Sequence, residues 1–135
     1  MIMKILFVCT GNACRSPAAE ALLTKFNPKI DVDSAGTHAY YKIIDVTRTY
    51  LIQEKAEQHL KYVPEPLENK QLDDYDLIVA MEHKHKDVIL HQCPECAEKV
   101  IVWNIDDPYK LPIAQAERIF TRIKRKTQQL ARSVS

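Results

Sequence analysis

Residues 2–23 read IMKILFV, then CTGNACRS, then PAAEALL, and this order predicts a strand, a loop and a helix in direct succession. Residues 2–8 carry apolar side chains on both faces, which is typical of a buried parallel strand. Pro17 suits the first position of a helix, and Ser16 before it is a good N-cap. The loop of residues 9–16 therefore connects the carboxyl end of a strand with the amino end of a helix.

The rest of the chain continues this alternation. The predicted strands are residues 30–34, 76–81 and 100–103, and the predicted helices are residues 46–60, 82–92 and the segment after 112. Apolar residues of the last helix share one face. They are Ile113, Ala116, Phe120, Ile123 and Leu130. Because crossovers between parallel strands are right-handed, helices should cover both faces of the sheet. We predict an α/β fold, with residues 1–135 forming a single domain.

The composition is that of an ordinary globular protein. Of the 135 residues, 46% are hydrophobic and 27% are charged, which excludes a disordered or fibrous chain. A total of 19 Lys and Arg residues against 18 Asp and Glu residues gives a net charge of +1, which argues against nucleic-acid binding. No apolar stretch approaches the ~18 residues of a membrane span, and no secretory leader is evident. We expect a cytoplasmic protein with four reduced cysteines and with no nucleic-acid or membrane partner.

The loop of residues 9–16 has the features of an anion-binding site. Backbone amides that wrap onto a helix N-terminus offer several N–H donors, and the helix dipole adds positive potential. Arg15 can present two parallel N–H donors to a phosphoryl group, and the same potential favours the thiolate form of Cys9. The chain has two glycines, Gly11 and Gly36, and we expect Gly11 to supply a positive φ angle in the loop. A nucleophile and an oxyanion-binding group would then face one point.

These residues resemble a known signature. Residues 8–17, VCTGNACRSP, are similar to the phosphate-binding loop of the low molecular weight protein tyrosine phosphatases. The resemblance continues through residues 34–37 (SAGT), 76–81 (DLIVAM) and 107–109 (DPY), and so spans most of the chain. It implies a three-layer sandwich whose central four-stranded parallel sheet has the order 2-1-3-4. It also implies binding of phosphate- or sulfate-type anions and hydrolysis of phosphotyrosine in phosphoprotein or phosphopeptide substrates.

The resemblance assigns a role to several residues. Cys9 would attack phosphorus and form a cysteinyl-phosphate intermediate, and Arg15 and the loop amides would stabilise the transition state. Asp107 would protonate the leaving oxygen and then activate water. Asn12 would hold the loop in shape, and Ser16 would hydrogen-bond the Cys9 thiolate. The phosphate-binding loop comprises Cys9, Thr10, Gly11, Asn12, Ala13, Cys14, Arg15 and Ser16. No metal or cofactor is implied.

The general acid is one of two adjacent aspartates, Asp106 and Asp107. The family pattern places the acid immediately before a proline, and proline restricts the preceding residue to extended conformations, which would fix the direction of Asp107. The alternative is that the two aspartates only form a turn ahead of Pro108. We therefore predict that Asp107 is the acid.

Two further groups of residues near the loop each have two interpretations. Tyr40, Tyr41 and Tyr109 lie on predicted loops at the same sheet edge, and either form aromatic walls for a planar substrate or are ordinary exposed tyrosines. Cys14 either forms a reversible disulfide with Cys9, as the resemblance implies, or is a packed thiol.

Three other functions are compatible with parts of the sequence. Protein-arginine phosphatases of the same family are similar to this chain at residues 80–86, AMEHKHK. They usually have Thr at the loop position of Ala13, whereas tyrosine-selective members usually have Ile, so Ala13 matches neither group. Thioredoxin-coupled arsenate reductases share the loop but need a cysteine just after the third strand, whereas Cys93 and Cys96 lie further along the chain. A non-catalytic phosphate-binding module is disfavoured because the nucleophile, the arginine and the acid are all present.

The remaining polar residues receive a structural interpretation. Cys93 and Cys96 form a lone CxxC pair, which offers too few ligands for a typical zinc site. His83 and His85 point in different directions on a predicted helix, and we interpret both as surface residues. Many relatives carry a histidine before the third strand that braces the loop asparagine. Residues 64–70, PEPLENK, lack it, so the sequence does not identify a partner for Asn12.

Overall fold

A computed structural model describes residues 2–134 of the chain. Strands and helices alternate along it as the sequence predicts. The strands are β1 (Lys4–Cys9), β2 (Asp31–Gly36), β3 (Leu77–Ala80) and β4 (Val100–Val102), and the α-helices are α1 (Arg15–Phe26), α2 (Asp45–Gln53), α3 (His83–Gln92) and α4 (Ile113–Ser133). Short 3-10 segments lie at Glu57–His59, Leu67–Asn69, Leu72–Asp74 and Pro94–Lys99.

The strands form one parallel sheet in the order β2-β1-β3-β4, which confirms the predicted fold class and strand order. β1 lies inside the sheet because both of its faces are apolar. Ile5 and Phe7 belong to the core on one face and Leu6 and Val8 to the core on the other, and none of the four has exposed surface. The carboxyl ends of the strands meet at one edge, where parallel sheets bind their ligands.

Two apolar cores flank the sheet. One lies between the sheet and the helices α1, α2 and α4, and the other lies between the sheet, α3 and the Pro94–Lys99 segment. The apolar face of α4 begins at Ala116, and the expectation that Ile113 belongs to it is wrong, because this first residue of the helix is 72% exposed. No helix among the described residues combines the length and the apolar character that crossing a bilayer requires.

Several boundaries differ from the predicted ones for identifiable reasons. β2 extends to Gly36 because its pairing with β1 continues to the register pair Cys9 and Gly36. The helix predicted over residues 46–60 ends at Gln53. Lys55 there adopts a left-handed conformation with φ 56°, and the amide of Ala56 donates back to the carbonyl of Leu51, which is a common way to end a helix.

Cys93 and Cys96 are joined by a disulfide, so the expectation that all four cysteines are reduced is wrong for this pair. Cys93 follows the last residue of α3, and Pro94 starts a 3-10 turn at once. The turn brings the two Cα atoms to 5.4 Å, a separation that a disulfide can span. Cys9 and Cys14 are free thiols.

Candidate active site

The loop between β1 and α1 turns carbonyl groups outward. Four of its carbonyl oxygens accept hydrogen bonds from amides of the segment that follows β2. The pairs are Thr37 N with Cys9 O (3.0 Å), His38 N with Thr10 O (2.8 Å), Tyr40 N with Gly11 O (2.8 Å) and Ile44 N with Ala13 O (3.1 Å). The amides of residues 11–14 donate to no acceptor within residues 2–134. Such donors ahead of a helix N-terminus form a site for an anion.

Gly36, rather than Gly11, is the glycine that the loop requires. A Cβ atom at Gly36 would lie 2.6 Å from the carbonyl oxygen of Thr10 and 2.9 Å from the amide nitrogen of Asn12. The prediction of a positive φ at Gly11 is wrong, because no glycine in the described residues has one and Asn12 takes the left-handed conformation instead, with φ 51°. Asparagine tolerates this conformation because its short polar side chain can form local hydrogen bonds.

The side chain of Asn12 is fully buried and makes three hydrogen bonds. Its amide nitrogen donates to the hydroxyl oxygens of Ser16 (2.8 Å) and Ser34 (2.9 Å), and its oxygen accepts from the backbone N–H of Glu65 (2.8 Å). The brace that was not identifiable from the sequence is therefore a backbone amide and a serine on β2. A peptide N–H serves at any residue type except proline, so the sequence around residue 65 carries no signal for it.

Ser16 connects Asn12 with Cys9. Its hydroxyl oxygen accepts the Asn12 hydrogen bond and lies 2.9 Å from the Cys9 sulfur, so the hydroxyl proton is available to the sulfur. The prediction that Ser16 caps α1 is wrong: the cap position is Cys14, with no side-chain capping bond, and Ser16 lies inside the first turn of the helix. The Ser16 hydroxyl, which in an N-cap would accept a hydrogen bond from a backbone N–H, faces Cys9 instead.

Arg15 is 1% exposed and is held at both ends of its guanidinium group. Nη1 donates to a carboxylate oxygen of Glu82 (2.5 Å) and to the backbone carbonyl of Ile105 (2.8 Å). Nη2 lies 3.5 Å from the Thr10 hydroxyl and 3.8 Å from a carboxylate oxygen of Asp107. Burial would raise the pKa of Glu82, but the hydrogen bond and the charge of Arg15 outweigh it and lower that pKa, so Glu82 remains a carboxylate.

A cavity of about 210 Å³ opens where these groups converge. The sequence-predicted residues that line it are Cys9, Thr10, Gly11, Ala13, Cys14, Arg15, Tyr40, Asp107 and Tyr109, and His38 and Ile44 complete the wall. The cavity therefore brings the predicted nucleophile, the predicted arginine and the predicted acid to one place.

The two aspartates of the 106–107 pair lie in different surroundings. Asp107 lines the cavity, and its Oδ1 accepts a hydrogen bond from the amide of Tyr109 (3.0 Å). Asp106 instead lines a separate surface pocket together with Glu82 and His83. The geometry favours Asp107 over Asp106 as the acid, which agrees with the prediction from its position before Pro108.

The tyrosines and Cys14 divide in a similar way. Tyr40 and Tyr109 line the cavity, whereas Tyr41 packs against Tyr40 with ring centroids 4.4 Å apart and is 70% exposed. Cys14 is buried, and its burial raises the pKa of the thiol to about 12. Such a thiol stays protonated at neutral pH and is therefore a weak nucleophile. The redox role of Cys14 stays a prediction.

Sequence reasoning did not identify two residues at the start of α3. Glu82 pairs with Arg15, and His85, which was interpreted as a surface residue, is 1% exposed and bonds the Thr10 hydroxyl at 2.8 Å. His83 is exposed as expected. A usable signal exists, because residue 82 lies two positions after the end of β3, the neighbour of β1 in the sheet. A carboxylate at that edge is a natural partner for a buried arginine at the start of α1, which follows the loop from β1.

The disulfide pair lies away from the cavity. Cys93 and Cys96 pack in the core on the α3 side of the sheet, whereas Cys9 belongs to the core on the other side. Asp73 lies beside the pair, with its Oδ1 3.4 Å from the Cys93 sulfur and 4.0 Å from the Cys96 sulfur. This placement does not support the thiol relay that an arsenate reductase needs.

A partly buried carboxyl group supports the loop from α1. Glu20 accepts a hydrogen bond from the Ser34 hydroxyl (2.5 Å), the same hydroxyl that accepts from Asn12. Lys61 Nζ donates to the Ser34 carbonyl at 2.8 Å and lies 3.2 Å from its hydroxyl. Burial raises the pKa of Glu20 to about 7, against the opposing effects of Ser34 and Lys61. Glu20 therefore titrates near neutral pH, and the Ser34 hydroxyl connects it to Asn12 by hydrogen bonds.

Comparison with known proteins places this site in a family. The profile of the low molecular weight phosphotyrosine protein phosphatases matches residues 4–135. The chain belongs to this family. The match covers the loop of residues 9–16, Glu82, which pairs with Arg15, and the Asp107-Pro108 turn. The predicted resemblance is therefore confirmed.

Individual relatives agree with the family assignment. Among curated proteins, the low molecular weight protein-tyrosine-phosphatase Wzb of Escherichia coli K12 is 32% identical over 100% of this chain and 97% of its own length. The protein-arginine-phosphatase of Bacillus subtilis is 36% identical over 73% of this chain and 68% of its own length. The solved structure of Vibrio vulnificus Wzb in complex with benzylphosphonate aligns with a TM-score of 0.90 at 25% identity, over 99% of this chain and 100% of that one.

The close approach of Gly36 to the loop predicts a stability effect. Gly36→Ala should lower the free energy of unfolding by about 1–3 kcal/mol, because the new methyl group meets backbone atoms of Thr10 and Asn12 that cannot rotate away. Gly11→Ala is the matched control: its Cβ would meet side-chain atoms at 3.5 Å or more, an ordinary contact distance. Urea denaturation measures both, and equal losses for the two variants would contradict the assignment.

The raised pKa of Glu20 predicts a pH dependence of stability. The native state holds the proton up to about pH 7 and the unfolded state releases it near 4.5, so this group makes the free energy of unfolding fall as pH rises through that window. His85, whose pKa burial lowers to about 4, acts in the opposite direction. The difference between wild type and Glu20→Gln isolates the Glu20 contribution.

Urea denaturation from pH 4.5 to 8 measures this difference. We expect Glu20→Gln to gain stability relative to wild type as the pH rises toward 7. The exposed Glu57→Gln variant serves as the control. A difference between wild type and Glu20→Gln that stays constant over this range would show that Glu20 titrates as an ordinary carboxyl group.

Proposed function

We propose that this protein hydrolyses phosphotyrosine in phosphoprotein substrates through a cysteinyl-phosphate intermediate on Cys9. The observation that carries the proposal is the convergence on one cavity of the Cys9 sulfur, the buried Arg15 guanidinium and loop amides that have no protein acceptor among the described residues. Nucleophile and oxyanion donors fixed around one point are what a phosphoryl-transfer site needs. We also infer a cytoplasmic location.

In the first step the Cys9 sulfur attacks phosphorus, a sulfur–phosphorus bond forms and the bond to the tyrosine oxygen breaks. Asp107 gives its proton to the leaving oxygen. Nη2 of Arg15 and the amides of residues 11–14 stabilise the charge on the equatorial oxygens. Nη1 is held by Glu82 and Ile105, so the guanidinium needs little reorganisation when the phosphoryl group arrives.

In the second step water hydrolyses the intermediate. Asp107, now a carboxylate, takes a proton from the water, whose oxygen bonds to phosphorus while the sulfur–phosphorus bond breaks. The Ser16 hydroxyl, 2.9 Å from the sulfur, stabilises the leaving thiolate because the Asn12 amide already occupies the acceptor side of that hydroxyl. Inorganic phosphate then leaves the cavity.

The walls of the cavity favour an aromatic substrate. Tyr40 and Tyr109 line the cavity beside the loop and are 40% and 51% exposed, so they offer aromatic surface to a planar group above the phosphate. Wzb of Escherichia coli K12 is named as a protein-tyrosine-phosphatase, and Vibrio vulnificus Wzb was solved with benzylphosphonate. A relative named as an arginine phosphatase makes phosphoarginine the substrate to compare.

The central test measures hydrolysis of an aryl phosphate by wild type and Cys9→Ser with a metal chelator present. We expect the substitution to reduce kcat by at least about a thousandfold, because the nucleophile is lost. Matched peptides that carry phosphotyrosine, phosphoarginine or phosphoserine then define the substrate. Full activity of Cys9→Ser would overturn the mechanism, and a higher kcat/KM for phosphoarginine would overturn the substrate assignment.

The different surroundings of the two aspartates predict unequal effects of substitution. Asp107→Asn should slow turnover of a phenyl phosphate by about 10²–10⁴-fold, which is the usual contribution of a general acid. Asp106→Asn, the adjacent control, should change kcat less than about twofold, because Asp106 lies outside the cavity. A poor leaving group should widen the gap between the variants. Equal effects on kcat would contradict the assignment of Asp107.

A further inference from the structure

The imidazole of His85 is fixed in one tautomer by its surroundings. The backbone N–H of Glu82, the N-cap residue of α3, lies 3.0 Å from Nδ1 of His85 in the first turn of that helix. A backbone N–H can only donate, so Nδ1 must present its lone pair. In a neutral ring the proton is then on Nε2.

The Nε2 proton is therefore donated to Thr10. Nε2 lies 2.8 Å from the Thr10 hydroxyl oxygen, across the sheet edge from α3 to the loop. The ring is neutral at physiological pH, because burial and the nearby charge of Arg15 lower the pKa of His85 to about 4. Glu82, Lys84 and Asp107 also face it, and the two carboxylates do not reverse the shift.

Both acceptor positions of the Thr10 hydroxyl face donors. One receives Nε2–H of His85, and the other faces Nη2 of Arg15 at 3.5 Å. The hydroxyl proton must point away from both, and no residue among 2–134 accepts it. Thr10 also lines the cavity. The free direction of its O–H bond is therefore toward a group bound there.

We propose that the Thr10 hydroxyl donates a hydrogen bond to a phosphoryl oxygen of the substrate, beside Arg15, and that His85 is the positioning residue that orients this donor. The inference rests on the proposed function and adds a side-chain donor to the amides of the loop. Without His85 the hydroxyl can rotate and present its lone pair to the cavity, where it would repel a phosphoryl oxygen. His85 acts through Thr10 and does not touch the substrate.

The first test is kinetic. Thr10→Val keeps the shape of the side chain and removes the hydroxyl, and we expect kcat/KM for an aryl phosphate to fall about tenfold or more, with weaker competitive inhibition by inorganic phosphate. His85→Leu should produce a loss of similar size, and His85→Gln, whose amide N–H can replace Nε2–H, should restore part of it. His83→Leu, on the exposed side of the same helix, should behave as wild type.

The decisive measurement is the double variant. If His85 acts only by orienting Thr10, adding His85→Leu to Thr10→Val should cause no further loss of kcat/KM, whereas a general structural role makes the two losses multiply. Multiplying losses would overturn the role of His85, and an unchanged kcat/KM in Thr10→Val would overturn the donor. These outcomes differ from failure of the proposed function, in which Cys9→Ser would keep its activity.

A spectroscopic test does not depend on activity or on a substitution. The imidazole ¹⁵N shifts of His85 in the wild-type protein should report protonated Nε2 and unprotonated Nδ1 throughout pH 5.5 to 8. A ring protonated at Nδ1, or one that titrates in this range, would overturn the proposal. This measurement also decides the question if His85→Leu does not fold.

Discussion

The site depends on the backbone conformation of Asn12. A loop that directs consecutive amides toward one point must fold back on itself, and Asn12 does this in the left-handed region with φ 51°. The conformation is unfavourable for a residue with a Cβ atom, and the three hydrogen bonds of its buried side chain stabilise it. Gly36 lies against the same turn, where there is no room for a side chain. Loop shape is therefore set by β2 and by the segment before β3 as much as by the loop itself.

The second constraint is the burial of Arg15. A guanidinium that is 1% exposed requires compensating partners, and the fold supplies a carboxylate from the start of α3 and a carbonyl from the segment after β4. These partners come from the ends of two neighbouring strands, β3 and β4, at the same sheet edge as Cys9. The parallel sheet thus positions the cationic group through contacts that are far apart in sequence.

The difference between local patterns and contacts that are far apart in sequence explains how much the sequence could predict. The alternation of strands and helices follows from local patterns, because each element is encoded within a short segment. The strand order and the roles of Cys9, Arg15 and Asp107 follow from the family resemblance that the motif of residues 8–17 carries. Glu82, His85 and the Glu65 amide that braces Asn12 lie about 50–75 positions from the residues they contact, and a backbone amide is a donor that any residue except proline can offer. The need for glycine at position 36 is invisible in the sequence for the same reason, since the crowding there exists only after β2 pairs with β1.

The same arrangement occurs on two hydroxyl groups near Cys9. Ser16 accepts from the Asn12 amide and so has its proton available for sulfur, and Thr10 faces N–H groups of His85 and Arg15 and so has its proton available for the cavity. A hydroxyl group alone does not discriminate between donors and acceptors, because it can rotate. Filling its acceptor positions with fixed N–H groups makes it a donor. The Thr10 hydroxyl and the loop amides then all act as hydrogen-bond donors toward a bound oxyanion. A group that carries N–H donors of its own finds few hydrogen-bond acceptors there.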